Sequence, residues 1–178
     1  LARGFIRAET MTCADLIRLG SEREMKAAGL MRNEPKDYVI KDGDIYRLYY
    51  RGSNGKGGDG GGGETTCVAE SRDGVTFTKP KLGLCEFEGG KENNIVIHEA
   101  PFTHNFCPFL DANPAAPREQ RYKAVAGTAK TGLVAWSSPD GIHWRKMREE
   151  PVFRKGAFDS QNVAFWSAAE QCYCLYFR

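Results

Sequence analysis

A seven-residue segment that occurs twice constrains the fold of this chain more than any other feature. Residues 71–77 (SRDGVTF) return as residues 138–144 (SPDGIHW), 67 positions further along. Each copy is a Ser-x-Asp-Gly turn that follows a strand-like apolar run. An Asp-Gly pair in such a place is a strong hairpin signal, because glycine supplies the positive φ that the turn needs. The sequence therefore predicts two copies of one antiparallel unit.

Each copy is predicted to contain four strands: an apolar strand, a Tyr-rich strand, a third strand and, after the Asp-Gly turn, a fourth. The first two strands are residues 37–40 and 45–50, then 106–110 and 121–126, and in a third unit 159–166 and 173–177. Four-stranded units that recur every ~40–70 residues are typical of propeller blades. We therefore predict an all-β fold, a partial β-propeller of about two and a half blades.

The predicted blades are roughly residues 31–97, 98–153 and 154–178. Residues 1–30 form a lead-in, where a capping-box pattern at Ser21 and Glu24 predicts a short helix through Ala28. Both ends of the chain look cut, and two and a half blades cannot close a ring. We therefore expect the remainder of the propeller to be a partner of this segment.

Composition argues against several classes of function. The net charge of +2 has no basic run behind it, which predicts no nucleic-acid partner. No window approaches 18 consecutive apolar residues, so no membrane partner is predicted. The six cysteines show no CxxC spacing, and we expect buried free thiols, with no metal and no cofactor. Cys172 and Cys174 would share one face of a strand. The sequence does not assign a compartment.

Several motifs along the chain carry a family resemblance. They are residues 46–52 (YRLYYRG), 93–96 (NNIV), 108–114 (PFLDANP), 121–124 (RYKA) and 158–162 (FDSQN). Over roughly residues 30–178 the chain resembles bacterial glycoside-hydrolase-like proteins, a group similar to the five-bladed propeller glycosidases of families 43 and 32. The Ser-x-Asp-Gly-x-x-Trp turn also resembles the Asp-box of sialidases, which sit on six-bladed propellers.

The resemblance implies a glycoside hydrolase that acts on an oligosaccharide or polysaccharide. In such enzymes one channel-facing carboxylate is the nucleophile or base and another carboxyl group is the acid, and distinct environments keep one ionised and the other protonated. Two alternatives stay open. One is a carbohydrate-binding propeller without turnover, and the other is a sialidase-like Asp-box enzyme.

Strand direction ranks the candidate residues. In a propeller blade, the start of the first strand and the end of the second strand face the ligand, whereas the turn between strands three and four lies opposite. The predicted catalytic residues are Asp159, Glu99 and Asp37, with Asp159 the strongest. The predicted substrate-binding residues are Arg51, His104, Asn105, Gln161, Asn162 and Arg178. Three other aspartates, Asp73, Asp140 and Asp111, are predicted to be turn residues outside the site.

The glycine-rich run at residues 52–63 is neither a P-loop nor a dinucleotide fingerprint, because no helix follows it and no Gly-Lys-Ser/Thr ends it. It connects strands two and three of the first blade, on the ligand side. A flap over the channel is one interpretation. We favour a disordered insertion without a role.

Overall fold

The computed structural model describes residues 4–6, 31–33 and 38–178. Contacts divide the chain into two units, Leu1–Asp37 and Tyr38–Arg178. In the first unit, β1 (Gly4–Ile6) pairs antiparallel with β2 (Met31–Asn33). The helix predicted after Ser21 lies outside the described residues. Within those residues there is no helix long and apolar enough to cross a membrane.

The second unit is built from antiparallel sheets. Its strands are β3 (Tyr38–Asp42), β4 (Ile45–Ser53), β5 (Glu64–Ser71), β6 (Ile95–Ile97), β7 (Cys107–Leu110), β8 (Tyr122–Thr128), β9 (Gly132–Ser138), β10 (Arg145–Lys146), β11 (Val163–Ser167) and β12 (Cys172–Tyr176). They form two four-stranded sheets, β3-β4-β5-β6 and β7-β8-β9-β10, and a two-stranded sheet β11-β12. Between residues 38 and 178 the helical structure is a single 3-10 turn, Arg118–Gln120. The all-β, partial-propeller prediction is confirmed.

The two Asp-Gly turns have the same hydrogen bonds. The Ser71 hydroxyl accepts a bond from the Gly74 N–H (2.9 Å), and one Asp73 oxygen accepts from the next two N–H groups. Ser138 and Asp140 repeat this arrangement bond for bond. Both glycines have positive φ, +73° and +77°, in the region that favours glycine. The predicted hairpin turns are confirmed, and so is the structural role of the two aspartates.

The fourth strand of each blade differs from the prediction because it is interrupted. After the first turn, Thr78 pairs with Glu70, but the chain then leaves the sheet and returns as β6 beside β5. In the second blade, β10 is only two residues long and Phe153 pairs with Leu133 further along. Residues 79–94 contain one proline and three glycines, which disfavour a continuous strand.

The core lies between the first two blades and is rich in aromatic rings. Trp144 contacts the rings of Tyr49 (centroids 6.2 Å apart), Phe106 (5.0 Å) and Tyr122 (6.5 Å). The Tyr49 hydroxyl donates a 2.7 Å hydrogen bond to the Gly141 carbonyl, which also accepts the Trp144 indole N–H at 3.0 Å. The second turn is thereby attached to the first blade, and Trp144 anchors the repeat as predicted. Phe77, its counterpart, is half-buried.

The cysteines correct one prediction. Of the five that the structure describes, only Cys67 and Cys107 are buried. Cys85 and Cys174 are half-buried and Cys172 is exposed. The expectation of buried thiols is therefore wrong for Cys172. Alternate residues of a strand share a face, and this face of β12 is open to solvent.

Candidate functional site

The structure brings five of the predicted site residues into one connected region, at the ends of second strands and the starts of first strands. Arg51, on β4, lies 2.9 Å from the Nδ1 atom of His104, which precedes β7. The adjacent Asn105 donates a 3.2 Å hydrogen bond to the carbonyl of residue 158, before β11. There, Asp159 forms an ion pair with Arg178 (3.3 Å), which follows β12. We refer to this region as the blade mouth.

The blade mouth contains a carboxylate that sequence reasoning missed. The Glu64 side chain, at the start of β5, is only 5% exposed. One oxygen accepts a hydrogen bond from Arg51 (3.0 Å), and the other accepts from the Gly60 N–H (3.0 Å) and lies 3.2 Å from His104 Nδ1. A signal was present in the sequence. The start of the third strand is opposite the end of the second, and the structure pairs Ser53 with Glu64.

The glycine-rich loop is part of this region, and the expectation of a disordered insertion is wrong. Its two ends are joined by a hydrogen bond from the Asn54 N–H to the Gly63 carbonyl (3.1 Å), and the Glu64 N–H donates to Gly61 (3.1 Å). Gly61 and Gly63 lie so close to the backbone of residues 56 and 57 that a Cβ atom would collide with it. The glycines therefore permit a compact loop, which presents the Gly60 N–H to the Glu64 carboxylate.

The positive charge at the centre of the cluster comes from Arg51. Asp59, Glu64 and His104 offer three possible ligand atoms within 4.8 Å of one another. The Arg51 guanidinium contacts Glu64 and His104 and lies 3.8 Å from the Asp59 carboxylate, so a side-chain cation already neutralises this group. The arrangement can orient a polar ligand through the guanidinium and imidazole.

The other predicted residues lie elsewhere or have different partners. Glu99 forms an ion pair with Lys146 (2.7 Å). Asp37 lies outside the described residues. Gln161 is half-buried, whereas Asn162 is fully buried and donates to the carbonyl of Ser160 (3.1 Å). Asn162 therefore has no surface open to a substrate and supports the start of β11.

Asp111 has the structural role that the sequence predicted. One of its oxygens accepts a hydrogen bond from the Asn113 N–H (2.9 Å), which makes an Asx-type turn. The other accepts from the Tyr173 hydroxyl (2.8 Å) and from the Lys123 ammonium group. Asp111 thus connects the second blade to the β11-β12 sheet and takes no part in the blade mouth.

An apolar cavity of about 340 Å³ lies between the second blade and the β11-β12 sheet. Its lining includes Phe109, Trp136, Phe153 and Leu175, and none of the predicted site residues contributes to it. The polar blade mouth and this cavity are therefore separate features.

Fold and site together define a partial β-propeller with a polar cluster at one end of its blades. Comparison with known proteins gives two further findings, which concern different parts of the chain. Residues 1–50 match the model of the YchF-GTPase_C family, a protein of unknown function (DUF933). This match extends from the first unit into β4 and includes Tyr46, which belongs to a motif of the propeller resemblance.

Curated relatives of the YchF type match a segment of similar length. Obg-like ATPase 1 of Oryza sativa subsp. japonica is 53% identical over 53 residues, which are 30% of this chain and 14% of that protein. The ribosome-binding ATPase YchF of Bacillus subtilis (strain 168) is 51% identical over 48 residues, 27% of this chain and 13% of that protein. The chain thus spans only a small part of these relatives.

Solved structures match a larger share of the chain at low identity. A glycosyl hydrolase from Bacteroides ovatus is 18% identical with a TM-score of 0.45, and the match covers 78% of this chain and 39% of that one. A structure from a report on the GH130 family of mannoside phosphorylases, which contains glycoside hydrolases, is 17% identical with a TM-score of 0.45 and the same coverage. Membership of families 43 or 32 stays a prediction.

Proposed function

We propose that residues 38–178 are part of a glycoside hydrolase that acts on an oligosaccharide or polysaccharide by acid/base catalysis. The observation that carries the proposal is the Asp159–Arg178 ion pair at the blade mouth (3.3 Å). The Asp159 carboxylate is 51% exposed, so it is accessible to a ligand. Arg178 offsets its negative charge without burying it.

Each residue of the blade mouth has a role in this proposal. Asp159 is the nucleophile or the base. Arg51, His104 and Asn105 bind sugar hydroxyl groups, because guanidinium, imidazole and amide groups donate directional hydrogen bonds. Glu64 is a positioning residue, since both of its oxygens are engaged by Arg51, His104 and the backbone.

Hydrolysis of a glycoside requires a second carboxyl group, at ~5–10 Å from the first. Asp59 is an exposed carboxylate in the Arg51 cluster and is one candidate. Glu99 and Asp37 are the candidates from the sequence, and Glu99 forms an ion pair with Lys146. Asp59→Asn and Glu99→Gln, assayed in the same way as Asp159→Asn, test these candidates for the second carboxyl group.

The test is the substitution Asp159→Asn, assayed for release of reducing sugar from a panel of plant and algal polysaccharides and from aryl glycosides. Loss of a catalytic carboxylate lowers turnover by roughly 100-fold or more. Sugar binding, measured by calorimetry, persists because the amide keeps the shape of the side chain. Glu86→Gln is the matched control, since Glu86 is exposed and lies outside the site. Activity of Asp159→Asn within a few-fold of the unmodified chain removes Asp159 from the chemistry.

A carbohydrate-binding propeller without turnover is the second candidate. It is favoured by the fact that, of the three predicted catalytic carboxylates, Asp159 alone joins the blade mouth in the described part of the chain. The same experiment separates the two functions. Sugar binding by both forms of the protein, without sugar release by either, supports the binding module.

A separate candidate concerns residues 1–50. They match the YchF-GTPase_C model, and the chain is 51% identical over 48 residues to a protein named as a ribosome-binding ATPase, which supports a role in ribosome association. Cosedimentation of the chain with purified ribosomes through a sucrose cushion tests it. Recovery of the chain only in the supernatant, at low and at physiological salt, removes this candidate.

A further inference from the structure

We propose that Glu170, Cys172 and Cys174 form a binding site for one thiophilic divalent cation of the zinc type. This site is independent of the blade mouth. Its three possible ligand atoms, one carboxylate oxygen and two thiol sulfurs, lie within 4.8 Å of one another. Two soft sulfur donors and one oxygen form a donor set that suits zinc and not magnesium or calcium, which bind through oxygen.

The geometry follows from the β11-β12 hairpin. Cys172 and Cys174 are alternate residues of β12, so their side chains leave the same face of the sheet. They pair with Ser167 and Phe165 across the sheet. Glu170 precedes them in the connecting turn, where its N–H donates a 3.2 Å hydrogen bond to the Ser167 hydroxyl.

The turn directs the carboxylate back over the strand. Gln171 has a positive φ of 54°, and its side chain donates a 2.6 Å hydrogen bond to the carbonyl of Ala168. As a result the Cys174 thiol donates a 3.0 Å hydrogen bond to the Glu170 carboxylate. The carboxylate and one sulfur are therefore in contact, and the Cys172 sulfur lies within 4.8 Å of both.

The charges around this group differ from those around Glu64. The Arg51 guanidinium occupies the centre of the blade-mouth cluster, whereas no Lys or Arg forms an ion pair with Glu170 in the part of the chain that the structure describes. Cys172 is exposed and Cys174 half-buried, so an ion has access from solvent. Three protein ligands leave a fourth tetrahedral position for water.

A disulfide between the two cysteines is the competing outcome. Alternate residues of a strand are roughly 6.6 Å apart, near the upper limit of Cα separation for a disulfide.

The experiment is a Co²⁺ titration of the reduced, metal-free chain, followed by Zn²⁺ competition. We expect one equivalent of Co²⁺ to bind with a thiolate-to-cobalt absorption band, which Zn²⁺ removes. Cys172→Ser and Cys174→Ser each weaken binding by at least ~10-fold. Cys85→Ser is the matched control, because Cys85 is also free and half-buried, and it leaves the titration unchanged. Circular dichroism checks that each variant is folded.

Three outcomes overturn the proposal. The first is the absence of the thiolate band in the reduced chain. The second is an unchanged band in the Cys172→Ser/Cys174→Ser double variant, which places the ion at other thiols. The third is cobalt binding that shows no thiolate band and is abolished by His104→Ala. This result places the ion at the blade mouth. If Cys172 and Cys174 are first found as a disulfide and the chain binds no metal after that disulfide is reduced, the result is the same as the first outcome.

Discussion

The Nδ1 atom of His104 lies 3.2 Å from one oxygen of the Glu64 carboxylate. This contact joins the start of β5 in the first blade to the segment that leads into the second blade. Arg51 contacts both partners, at 3.0 Å from Glu64 and 2.9 Å from His104. Glu64 therefore accepts a hydrogen bond from Arg51 and contacts His104, and both of these side chains are proposed to bind the substrate. Loss of Glu64 should affect stability and substrate binding together.

The first prediction concerns Glu64→Ala. The substitution leaves the Arg51 guanidinium and the Gly60 N–H without their acceptor, at a site where the carboxylate is 5% exposed. We expect the free energy of unfolding to fall by ~2 kcal/mol, the range for hydrogen bonds to charged groups. Urea unfolding measures it. Glu86→Ala, at an exposed carboxylate, is the control. If both substitutions have an equally small effect on stability, Glu64 is not the buried hydrogen-bond acceptor described here.

The second prediction concerns the aromatic anchor of the repeat. Trp144→Ala removes ring contacts with Tyr49, Phe106 and Tyr122 and should cost ~3 kcal/mol, the lower end of the usual range because the indole is half-buried. Trp144→Phe keeps a ring but loses the hydrogen bond to Gly141, which costs ~1 kcal/mol. Thermal and urea unfolding measure whether the alanine variant loses more stability than the phenylalanine variant. A larger loss for the phenylalanine variant than for the alanine variant is incompatible with this packing.

The third prediction is a dependence of stability on pH through Asp42. Burial raises the pKa of Asp42, but the hydrogen bonds from Tyr122 and Arg121 outweigh it and hold the pKa below its ordinary value of 3.8. A lowered pKa in the folded state adds stability that is fully present above the ordinary pKa and is lost as the pH falls through the lowered value. Asp42 connects the blades, since it accepts from Tyr122 at 2.5 Å.

We therefore expect the difference in unfolding free energy between the chain and Asp42→Asn to be largest above pH 5 and to shrink below pH ~4. Unfolding in urea at pH 6, 4 and 3 measures this difference. Asp44→Asn, an exposed aspartate beside the same turn, is the control. A difference that grows on acidification contradicts the ion-pair assignment.

The sequence predicted the features that depend on contacts between neighbouring residues. It did not predict the features that depend on contacts between residues far apart in the chain. The Ser-x-Asp-Gly turns were predictable because Ser71 and Asp73 bond to N–H groups within three residues. Glu64 was missed because its partners, Arg51 and His104, lie 13 and 40 residues away. The similarity of residues 1–50 to the YchF-GTPase_C family was not predicted, because the alternating pattern that indicates strands does not indicate that family. The pairing of Glu99 with Lys146 could not be predicted, because it depends on how the second blade folds.

The last prediction tests whether the glycine-rich loop places Glu64. Gly63→Ala puts a methyl group against the backbone carbonyl of Lys56, whereas the neighbouring Gly62 has open space at the same position. We expect Gly63→Ala to lower the free energy of unfolding by ~1–3 kcal/mol through overpacking, and to weaken sugar binding by displacing the Glu64 carboxylate. Gly62→Ala should change stability by less than ~0.5 kcal/mol and leave binding intact. Urea unfolding and calorimetry measure the two effects. If both substitutions leave stability and binding unchanged, the loop does not position Glu64, and the assignment of Gly60 as its backbone donor is wrong.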